Sequence, residues 1–125
     1  MIIGIGCDLV AVARIKRTIE NNSRFVDKLF TTGEIAYCSS KANPAQSYAA
    51  RFAAKEAVMK ALGTGWDGKV NWQDIEVQVN EFGCPSILLH NGAAQLAAQK
   101  GVNNIQISLS HEKEHALAFA VLECF

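Results

Sequence analysis

Residues 43–63 read NPAQSYAARFAAKEAVMKALG, and this stretch decides the fold class of the chain. Asn43 is a suitable N-cap, and Pro44 fits the first position of a helix. The Ala-rich segment that follows has high helix propensity, and Gly63 can supply the C-terminal cap. The pattern therefore predicts a helix over residues 44–62, about 28 Å long at 1.5 Å per residue, as the central element of the domain.

Segments with strand-like and helical patterns surround this helix. Residues 2–7 form a short apolar, β-branched run that predicts a strand, and Asp8 is expected to end it. Four more segments have strand-like apolar patterns, namely 75–79, 87–89, 105–110 and 116–121. Further helices are expected at residues 11–20, at 23–40 with a break at Gly33, and at 91–100. The sequence predicts an α+β fold in which a mostly antiparallel sheet packs against the long helix.

Length and composition indicate one domain, residues 1–125. A chain of 125 residues can bury one real core, and 50% hydrophobic with 19% charged residues is ordinary for a soluble protein. No apolar run approaches the roughly 20 residues that a membrane helix needs, and residues 1–6 lack the features of a signal peptide. The four cysteines form no C-x-x-C pair and are expected to be free thiols, mostly buried. We expect a cytoplasmic protein with no membrane segment.

Charge is unevenly distributed although the net charge is zero. Residues 1–62 hold nine Lys/Arg and five Asp/Glu, whereas residues 63–125 hold three and seven, so the halves carry +4 and −4. Much of the basic excess follows the first strand, in Arg14, Lys16, Arg17, Arg24 and Lys28. A clustered basic face favours an acidic partner, and a solvated helix face explains the same pattern equally well. The zero net charge and the lack of a cluster of stacking aromatic residues argue against nucleic acid.

Residues 111–115, HEKEH, match the zinc-peptidase pattern H-E-x-x-H, in which two histidines one helical turn apart hold the metal. That chemistry requires a helix, but strand-like segments flank these residues on both sides. The only other histidine is His90, and no third ligand is evident. We therefore expect a polar hairpin end here. His111 remains of interest because it ends a strand beside two serines, where a polar face can meet a ligand.

The glycines of Gly4-x-Gly6 match the beginning of a dinucleotide-binding fingerprint. Position 9 is leucine where that fingerprint has its third glycine, and no βαβ unit follows. The two glycines are expected instead to permit close backbone packing beside Asp8.

Two carboxylates, Asp8 and Glu56, lie in unusual surroundings. Asp8 follows an apolar strand and Glu56 lies in the largely apolar centre of the long helix, so each needs a partner. A structural explanation for Glu56 is a helix salt bridge to Lys60, four residues on. The functional explanation brings Asp8 and Glu56 together as ligands of Mg²⁺, which binds through one or two carboxylates, waters and phosphate oxygens. Lys55, Lys60 and Arg51 then supply positive charge for a diphosphate.

Two motifs and their spacing resemble those of the 4′-phosphopantetheinyl transferases. Residues 4–10 (GIGCDLV), with Arg14-Ile15, resemble the family's G-x-D followed by R. Residues 51–57 (RFAAKEA) and 60–65 (KALGTG) resemble its F-x-x-K-E-A and K-A-x-G-x-G. Residues 74–77 and 108–111 also match in type and order, so the resemblance covers nearly the whole chain. One departure is Cys84, where the family often has a basic residue, which affects a loop contact and not the metal site.

The resemblance implies the family's fold and its reaction. That reaction transfers 4′-phosphopantetheine from coenzyme A to a serine of apo-acyl carrier protein, releasing adenosine 3′,5′-bisphosphate, in fatty acid biosynthesis. Asp8 and Glu56 are implied to hold Mg²⁺ on the coenzyme A diphosphate, and Glu56 to help deprotonate the serine. Lys60 is implied to neutralise charge on the diphosphate. The remaining implied contacts to coenzyme A are Arg51 and His111, at the nucleotide end, together with Lys55 and Gly63.

The resemblance also implies protein partners. Carrier proteins are acidic, so four basic residues are expected to dock one, namely Arg14, Lys16, Arg17 and Arg24. Longer related transferases contain two such halves with the site between them, and the short type is a homotrimer with active sites at subunit interfaces. The alternate alanines at 116, 118 and 120 suit a close packing surface between copies, or lie under a helix. A non-catalytic basic module that binds an acidic partner is the alternative function.

Overall fold

Five strands and five α-helices follow one another in the computed structural model, which describes residues 1–64, 68 and 70–125. In chain order they are β1 (Ile2–Ala11), α1 (Val12–Asn21), α2 (Phe25–Leu29), α3 (Thr32–Ser39), α4 (Pro44–Leu62), β2 (Ile75–Val79), β3 (Pro85–Leu89), α5 (Asn91–Gln99), β4 (Asn104–His111) and β5 (His115–Glu123). A short 3₁₀ helix, Trp72–Asp74, precedes β2.

The strands pair antiparallel and form two sheets rather than one. β5 lies between β1 and β4 in a three-stranded sheet, while β2 and β3 form a separate hairpin. Helix α4 packs across one face of the three-stranded sheet and also contacts β2, α1 and α3. The prediction of an α+β fold with antiparallel strands on a long helix is therefore confirmed.

Local signals set both ends of α4, as predicted. The side chain of Asn43 accepts a hydrogen bond from the Gln46 amide at 3.4 Å, and Pro44 occupies the first turn. Gly63 ends the helix with a φ of +73°, a left-handed conformation that strains residues with a Cβ. Most side chains between these ends are buried around the whole circumference, so α4 is the central element of the core.

Helix α4 lies against β1 with no layer of side chains between the two backbones. A Cβ atom added to Gly4 would overlap the carbonyl oxygen of Ala61, and one added to Gly6 would overlap that of Ala57. This confirms the expectation that the two glycines permit close packing. Because side chains alternate along a strand, Asp8 lies on the same face of β1 as Gly6 and is directed towards the helix.

β1 does not end at Asp8, contrary to the prediction. Asp8 lies opposite Ala118 of β5, and the pairing continues to Ala11 opposite His115. The ladder continues because backbone hydrogen bonds to the partner strand determine its length, and one polar side chain in an apolar run does not interrupt them. Asp8 is therefore held inside a paired strand.

The break between the two short helices lies at Phe30 and Thr31, and not at Gly33 as predicted. The Thr31 hydroxyl accepts a hydrogen bond from the Glu34 amide at 3.2 Å, and the Glu34 carboxylate accepts one from the Thr31 amide at 2.9 Å. This capping box fixes the start of α3 and leaves Gly33 inside its first turn.

Residues 111–115 form the end of a hairpin, as predicted. β4 ends at His111 and β5 begins at His115, whose Nδ1 lies 2.9 Å from Oε1 of Glu112. Within the described ranges, no group of three or more His, Cys, Asp or Glu side chains is placed to hold a metal. The two histidines of the zinc-peptidase pattern therefore lie at the ends of two strands and not on one helix.

The two faces of the three-stranded sheet differ in burial. Ala116, Ala118 and Ala120 are fully buried under α4, so this face is not a packing surface between copies. The opposite face is open; it is apolar on β1 and β5 and polar on β4. Its large exposed side chains on β1 and β5 are Ile5 (60% exposed), Leu9 (64%), Leu117 (43%) and Phe119 (44%).

The cysteines are free, as predicted, but they are not mostly buried. Cys38 is buried, and burial raises the pKa of its thiol to about 11. Cys7 and Cys84 are exposed, on an outward-facing strand position and in the β2–β3 hairpin. Across residues 1–64, 68 and 70–125, no helix is long and apolar enough to cross a membrane.

We predict that Gly6→Ala lowers the free energy of unfolding by about 1–3 kcal/mol or more, because its Cβ must displace backbone and not a flexible side chain. Urea denaturation followed by circular dichroism measures the change. Cys7→Ala, on the next and outward-facing position of the same strand, is the control and is expected to change stability by about 0.5 kcal/mol at most. Equal stabilities of the two variants would contradict the backbone contact.

Candidate active site

Asp8 lies at the contact between β1 and α4 and is paired with Lys60. The Lys60 ammonium donates hydrogen bonds to Oδ1 of Asp8 at 3.2 Å and to the carbonyl oxygen of Cys7 at 3.0 Å. The Asp8 side chain is 16% exposed and that of Lys60 is 53% exposed. An ion pair this close to solvent contributes little to stability, so both groups remain available to a ligand.

Glu56 is the least satisfied carboxylate of this region. It is partly buried on α4, and no hydrogen bond or ion pair joins it to another described residue. Burial raises the pKa of Glu56, the negative charge of Asp8 raises it further, and Lys60 and Arg14 lower it. A desolvated carboxylate beside a second carboxylate is the environment that a bound cation relieves.

The helix salt bridge considered for Glu56 is not present. Lys60 lies four residues after Glu56, but its ammonium reaches across to β1 and binds Asp8. The structural explanation of Glu56 is therefore wrong. The close approach of β1 explains why Lys60 pairs with Asp8 and not with Glu56. It places the carbonyl oxygen of Cys7 and the carboxylate of Asp8 within reach of the Lys60 ammonium.

A cavity of about 250 Å³ adjoins Glu56, between α1, α2, α4 and the 3₁₀ helix. Its lining combines polar groups with a largely apolar wall, and includes Arg14, Thr18, Lys28, Phe52 and Trp72. The Arg14 guanidinium lies 5.9 Å from the centre of the Phe52 ring, which keeps it at the rim. The rings of Phe52 and Trp72 are stacked with centroids 5.1 Å apart.

Asp8 and Glu56 suit a magnesium ion. Both present carboxylate oxygens, the ligand type that Mg²⁺ prefers, and Glu56 has no other partner in the described part of the chain. Magnesium keeps waters and takes phosphate oxygens as further ligands, so two protein carboxylates are enough. Lys60 at Asp8 adds a positive charge on the same side.

Lys55 does not belong to this site, contrary to the expectation that it contacts the diphosphate. Its ammonium is fully buried, 2.8 Å from Oε1 of Glu34, and donates to the carbonyl oxygens of Trp72 and Ile75. These partners use all three donors of an ammonium group. Burial lowers the pKa of Lys55 while the Glu34 carboxylate opposes that shift. Neighbours on a helix point about 100° apart, so Lys55 enters the core while Glu56 faces the site.

Arg51 and His111 line a second cavity of about 180 Å³, together with Tyr37, Ser47, Gly83 and Pro85. The structure thus brings together the two residues expected at the nucleotide end of coenzyme A. This cavity shares no lining residue with the one beside Glu56. Arg51 and Glu56 are five positions apart on α4, so their side chains leave the helix about 140° apart.

Gly63 lies at the carboxyl end of α4, one turn beyond Lys60, and is exposed. Its backbone amide donates to the carbonyl oxygen of Lys60 at 3.0 Å. The final glycine of the second motif, Gly65, lies outside the described residues.

The expected docking residues lie close to the site. Arg14, Lys16 and Arg17 are exposed on α1, whose opposite side buries Val12 and Ile15. Arg24 is exposed at the start of α2. Because Arg14 also lines the cavity beside Glu56, the basic surface continues to the edge of the candidate metal site.

The cavity linings include polar and aromatic residues that were not predicted as site residues, among them Thr18 and Trp72 beside Glu56, and Tyr37 and Ser47 beside Arg51. Thr18 lies one helical turn after Arg14 and its hydroxyl donates to the Arg14 carbonyl, so its spacing indicated the same side of α1. Ser47 lies one helical turn before Arg51 on α4, so its spacing indicated the same side of that helix. Trp72 and Tyr37 approach the sites through tertiary packing, for which the sequence carries no local signal.

Comparison with known proteins identifies the family of the chain. A family model described as the 4′-phosphopantetheinyl transferase superfamily matches residues 4–120. The chain belongs to this superfamily. Within the superfamily it is an enzyme of the holo-[acyl-carrier-protein] synthase type. The protein of that name from Solibacter usitatus is 50% identical over 124 residues, which cover 98% of this chain and 99% of the relative.

Solved structures of such synthases share the fold. The holo-[acyl-carrier-protein] synthase of Neisseria meningitidis aligns with a TM-score of 0.89 at 33% identity, covering 98% of this chain and 99% of that one. The holo-(acyl-carrier-protein) synthase of Bacillus anthracis, determined in complex with CoA (3′,5′-ADP), aligns with a TM-score of 0.83 at 32% identity, covering 100% and 99%.

Proposed function

We propose that this protein transfers 4′-phosphopantetheine from coenzyme A to a serine of apo-acyl carrier protein, releasing adenosine 3′,5′-bisphosphate. The observation that carries the proposal is the partly buried Glu56 carboxylate beside Asp8 and Lys60, which has no hydrogen-bond or ion-pair partner among the described residues. The names of the relatives and the coenzyme A complex of the Bacillus anthracis protein support the two substrates. The product supplies carriers for fatty acid biosynthesis, in the cytoplasm.

The reaction forms one bond and breaks another at phosphorus. The carrier serine oxygen bonds to the phosphorus that bears pantetheine, and the bond from that phosphorus to the adenosine 5′-phosphate oxygen breaks. Glu56, directly or through water, accepts the serine proton, a role that its raised pKa favours. Lys60 neutralises negative charge on the diphosphate as the bisphosphate leaves with the electron pair.

Asp8 and Glu56 are the residues that would hold Mg²⁺. A bound Mg²⁺ supplies charge neutralisation on the diphosphate oxygens. The ammonium of Lys60 lies 3.2 Å from Oδ1 of Asp8, on the same side. Arg51 and His111 bind the nucleotide end, including the 3′-phosphate, in the cavity that they share.

We predict that apo-acyl carrier protein mixed with this protein, coenzyme A and Mg²⁺ gains the mass of one phosphopantetheine. Intact-mass spectrometry measures the gain over time. Glu56→Gln and removal of the metal with EDTA are each expected to slow the reaction about a hundredfold or more, because a metal ligand and proton acceptor is lost. Glu81→Gln, in the exposed β2–β3 hairpin, is the matched control and is expected to retain full activity.

Two results would contradict this proposal. Full activity of Glu56→Gln would show that the Glu56 carboxylate is not needed for the reaction. No mass gain with several acidic carriers would favour the alternative, a non-catalytic basic module. That module would bind carriers in a salt-sensitive way, and Glu56→Gln would leave its binding intact.

We propose that the basic residues of α1 and α2 dock the acidic carrier and guide its serine to Glu56. Charge reversal by Arg14→Glu is expected to raise the KM for carrier about five- to tenfold at low salt, with a small effect on the KM for coenzyme A. Arg17→Glu, which lies outside the cavity lining, should give the same pattern and separates docking from electrostatic effects on Glu56. Equal increases in both KM values would contradict the docking surface.

We further propose a homotrimer with active sites at subunit interfaces. The exposed apolar face of the three-stranded sheet, carrying Ile5, Leu9, Leu117 and Phe119, is the surface that copies would cover. The separation of the Arg51 cavity from the Glu56 cavity within one chain supports a site that uses one cavity from each of two subunits.

Leu117→Glu is expected to produce monomers with little activity, because it places a charge on the covered face. Light scattering coupled to size-exclusion chromatography measures the oligomeric state. Gln95→Glu, at an exposed position of α5 outside the three-stranded sheet, is the control and should assemble normally. A wild-type protein that is monomeric and active would refute the shared site.

A further inference from the structure

Arg51 is a buried cation with almost no protein partners. The residue is 4% exposed, and its Nη1 donates to the Ser47 carbonyl oxygen at 3.5 Å, the limit of hydrogen bonding. Its Nε is buried and has no hydrogen-bond partner among the described residues. No Asp or Glu of residues 1–64, 68 and 70–125 lies within ion-pair distance of it. A buried charge with so few partners requires another source of stabilisation.

Tyr37 of α3 supplies that stabilisation. The guanidinium carbon of Arg51 lies 4.1 Å from the centre of the Tyr37 ring, well within the range of a cation–π contact. Arginine is suited to this arrangement, since its planar guanidinium stacks on aromatic faces while its edges remain free to donate. The ring therefore supports Arg51 without occupying the donors that an anion would need.

The position of Tyr37 separates two spaces around Arg51. Tyr37 and Arg51 both line the cavity of about 180 Å³ that contains His111. Both also line a cavity of about 410 Å³ on the side of β2. A smaller side chain at position 37 would leave the Arg51 guanidinium without the ring on which it stacks, and would give it more freedom to turn between the two cavities. The Lys41 ammonium, 4.4 Å from the same ring, adds positive charge near this point.

We propose that Tyr37 is a positioning residue that holds the Arg51 guanidinium towards the 3′-phosphate of coenzyme A, and that it thereby determines discrimination between coenzyme A and 3′-dephospho-coenzyme A. The proposal rests on the proposed function, in which Arg51 binds the nucleotide end. Tyr37 acts through Arg51, by restricting where its donors point.

The test measures kcat and KM for coenzyme A and for 3′-dephospho-coenzyme A. Tyr37→Leu is expected to raise the KM for coenzyme A about tenfold, and to leave kcat and the KM for the dephospho donor within about twofold. Tyr37→Phe keeps the ring, removes only the hydroxyl and should behave as wild type. In an Arg51→Met background, Tyr37→Leu should have no further effect, although Lys41 is still present.

Two outcomes would overturn the proposal. One is an equal rise in KM for both donors; the other is a Tyr37→Leu effect that persists in the Arg51→Met background. A lower melting temperature with unchanged donor discrimination would likewise reduce Tyr37 to a structural residue. Should the leucine variant fail to fold, Tyr37→Gln offers the same loss of an aromatic face in a polar side chain.

A binding measurement separates this proposal from the proposed function. Calorimetry with adenosine 3′,5′-bisphosphate and adenosine 5′-phosphate requires no turnover and no carrier. The positioning role is supported if Tyr37→Leu binds the bisphosphate more weakly than wild type does and binds the monophosphate with unchanged affinity. This result would count even if the wild-type protein transfers nothing to any carrier. Equal affinity of wild type for the two nucleotides would overturn the role for Tyr37, whether or not transfer occurs.

Discussion

The contact of β1 with α4, backbone against backbone, is the constraint on which the site depends. Gly4 and Gly6 leave no space for a Cβ against the carbonyl oxygens of Ala61 and Ala57. An ordinary strand–helix contact places a layer of side chains between the two elements, whereas here their main chains meet directly. Because the backbones are so close, Lys60 of the helix reaches Asp8 of the strand. The pKa of Glu56, raised by burial, is for the same reason raised further by the negative charge of Asp8.

Two adjacent charged residues of α4 serve different purposes. Glu56 faces the site with no hydrogen-bond or ion-pair partner in the part of the chain that the structure describes, whereas Lys55 crosses the core to Glu34. Glu34 also caps α3 and accepts a hydrogen bond from the Val77 amide at 2.9 Å. The buried pair therefore joins α3, α4 and β2, and fixes the rotation of α4 about its axis. A buried ion pair is weak evidence for stability, but here every donor and acceptor is used, so it specifies one arrangement.

The predictable features of this chain are those with local causes. The ends of α4 are predicted by local signals, namely Asn43 and Pro44 at its start and Gly63 at its end. The alternation of apolar residues predicts β2, β4 and β5. The length of β1 was not predictable in this way, because pairing with β5 carries the strand past Asp8. The division of the strands into two sheets is likewise set by tertiary packing.

The site residues that belong to the two sequence motifs, or to the shorter matching segments, were largely predictable. Asp8, Glu56 and Lys60 do approach one another, and Arg51 does share a cavity with His111. Lys55 was wrongly predicted to contact the diphosphate, because a lysine in such a motif suggests a phosphate contact. Its actual partner, Glu34, lies 21 residues earlier in the chain. Tyr37 had no signal at all, since a ring on one helix meets a guanidinium on another only after folding.

The placement of Asp8 and Glu56 on a paired strand and a capped helix has a consequence for the motions of the site. The backbones that carry the two carboxylates cannot separate by a loop fluctuation, because Asp8 lies on a paired strand and Glu56 lies on a helix that packs against that strand. Their separation should therefore be as persistent as the slowest-exchanging amides of the protein. The elements that carry the two carboxylates are then in place before a ligand arrives, so little free energy is needed to reorganise them.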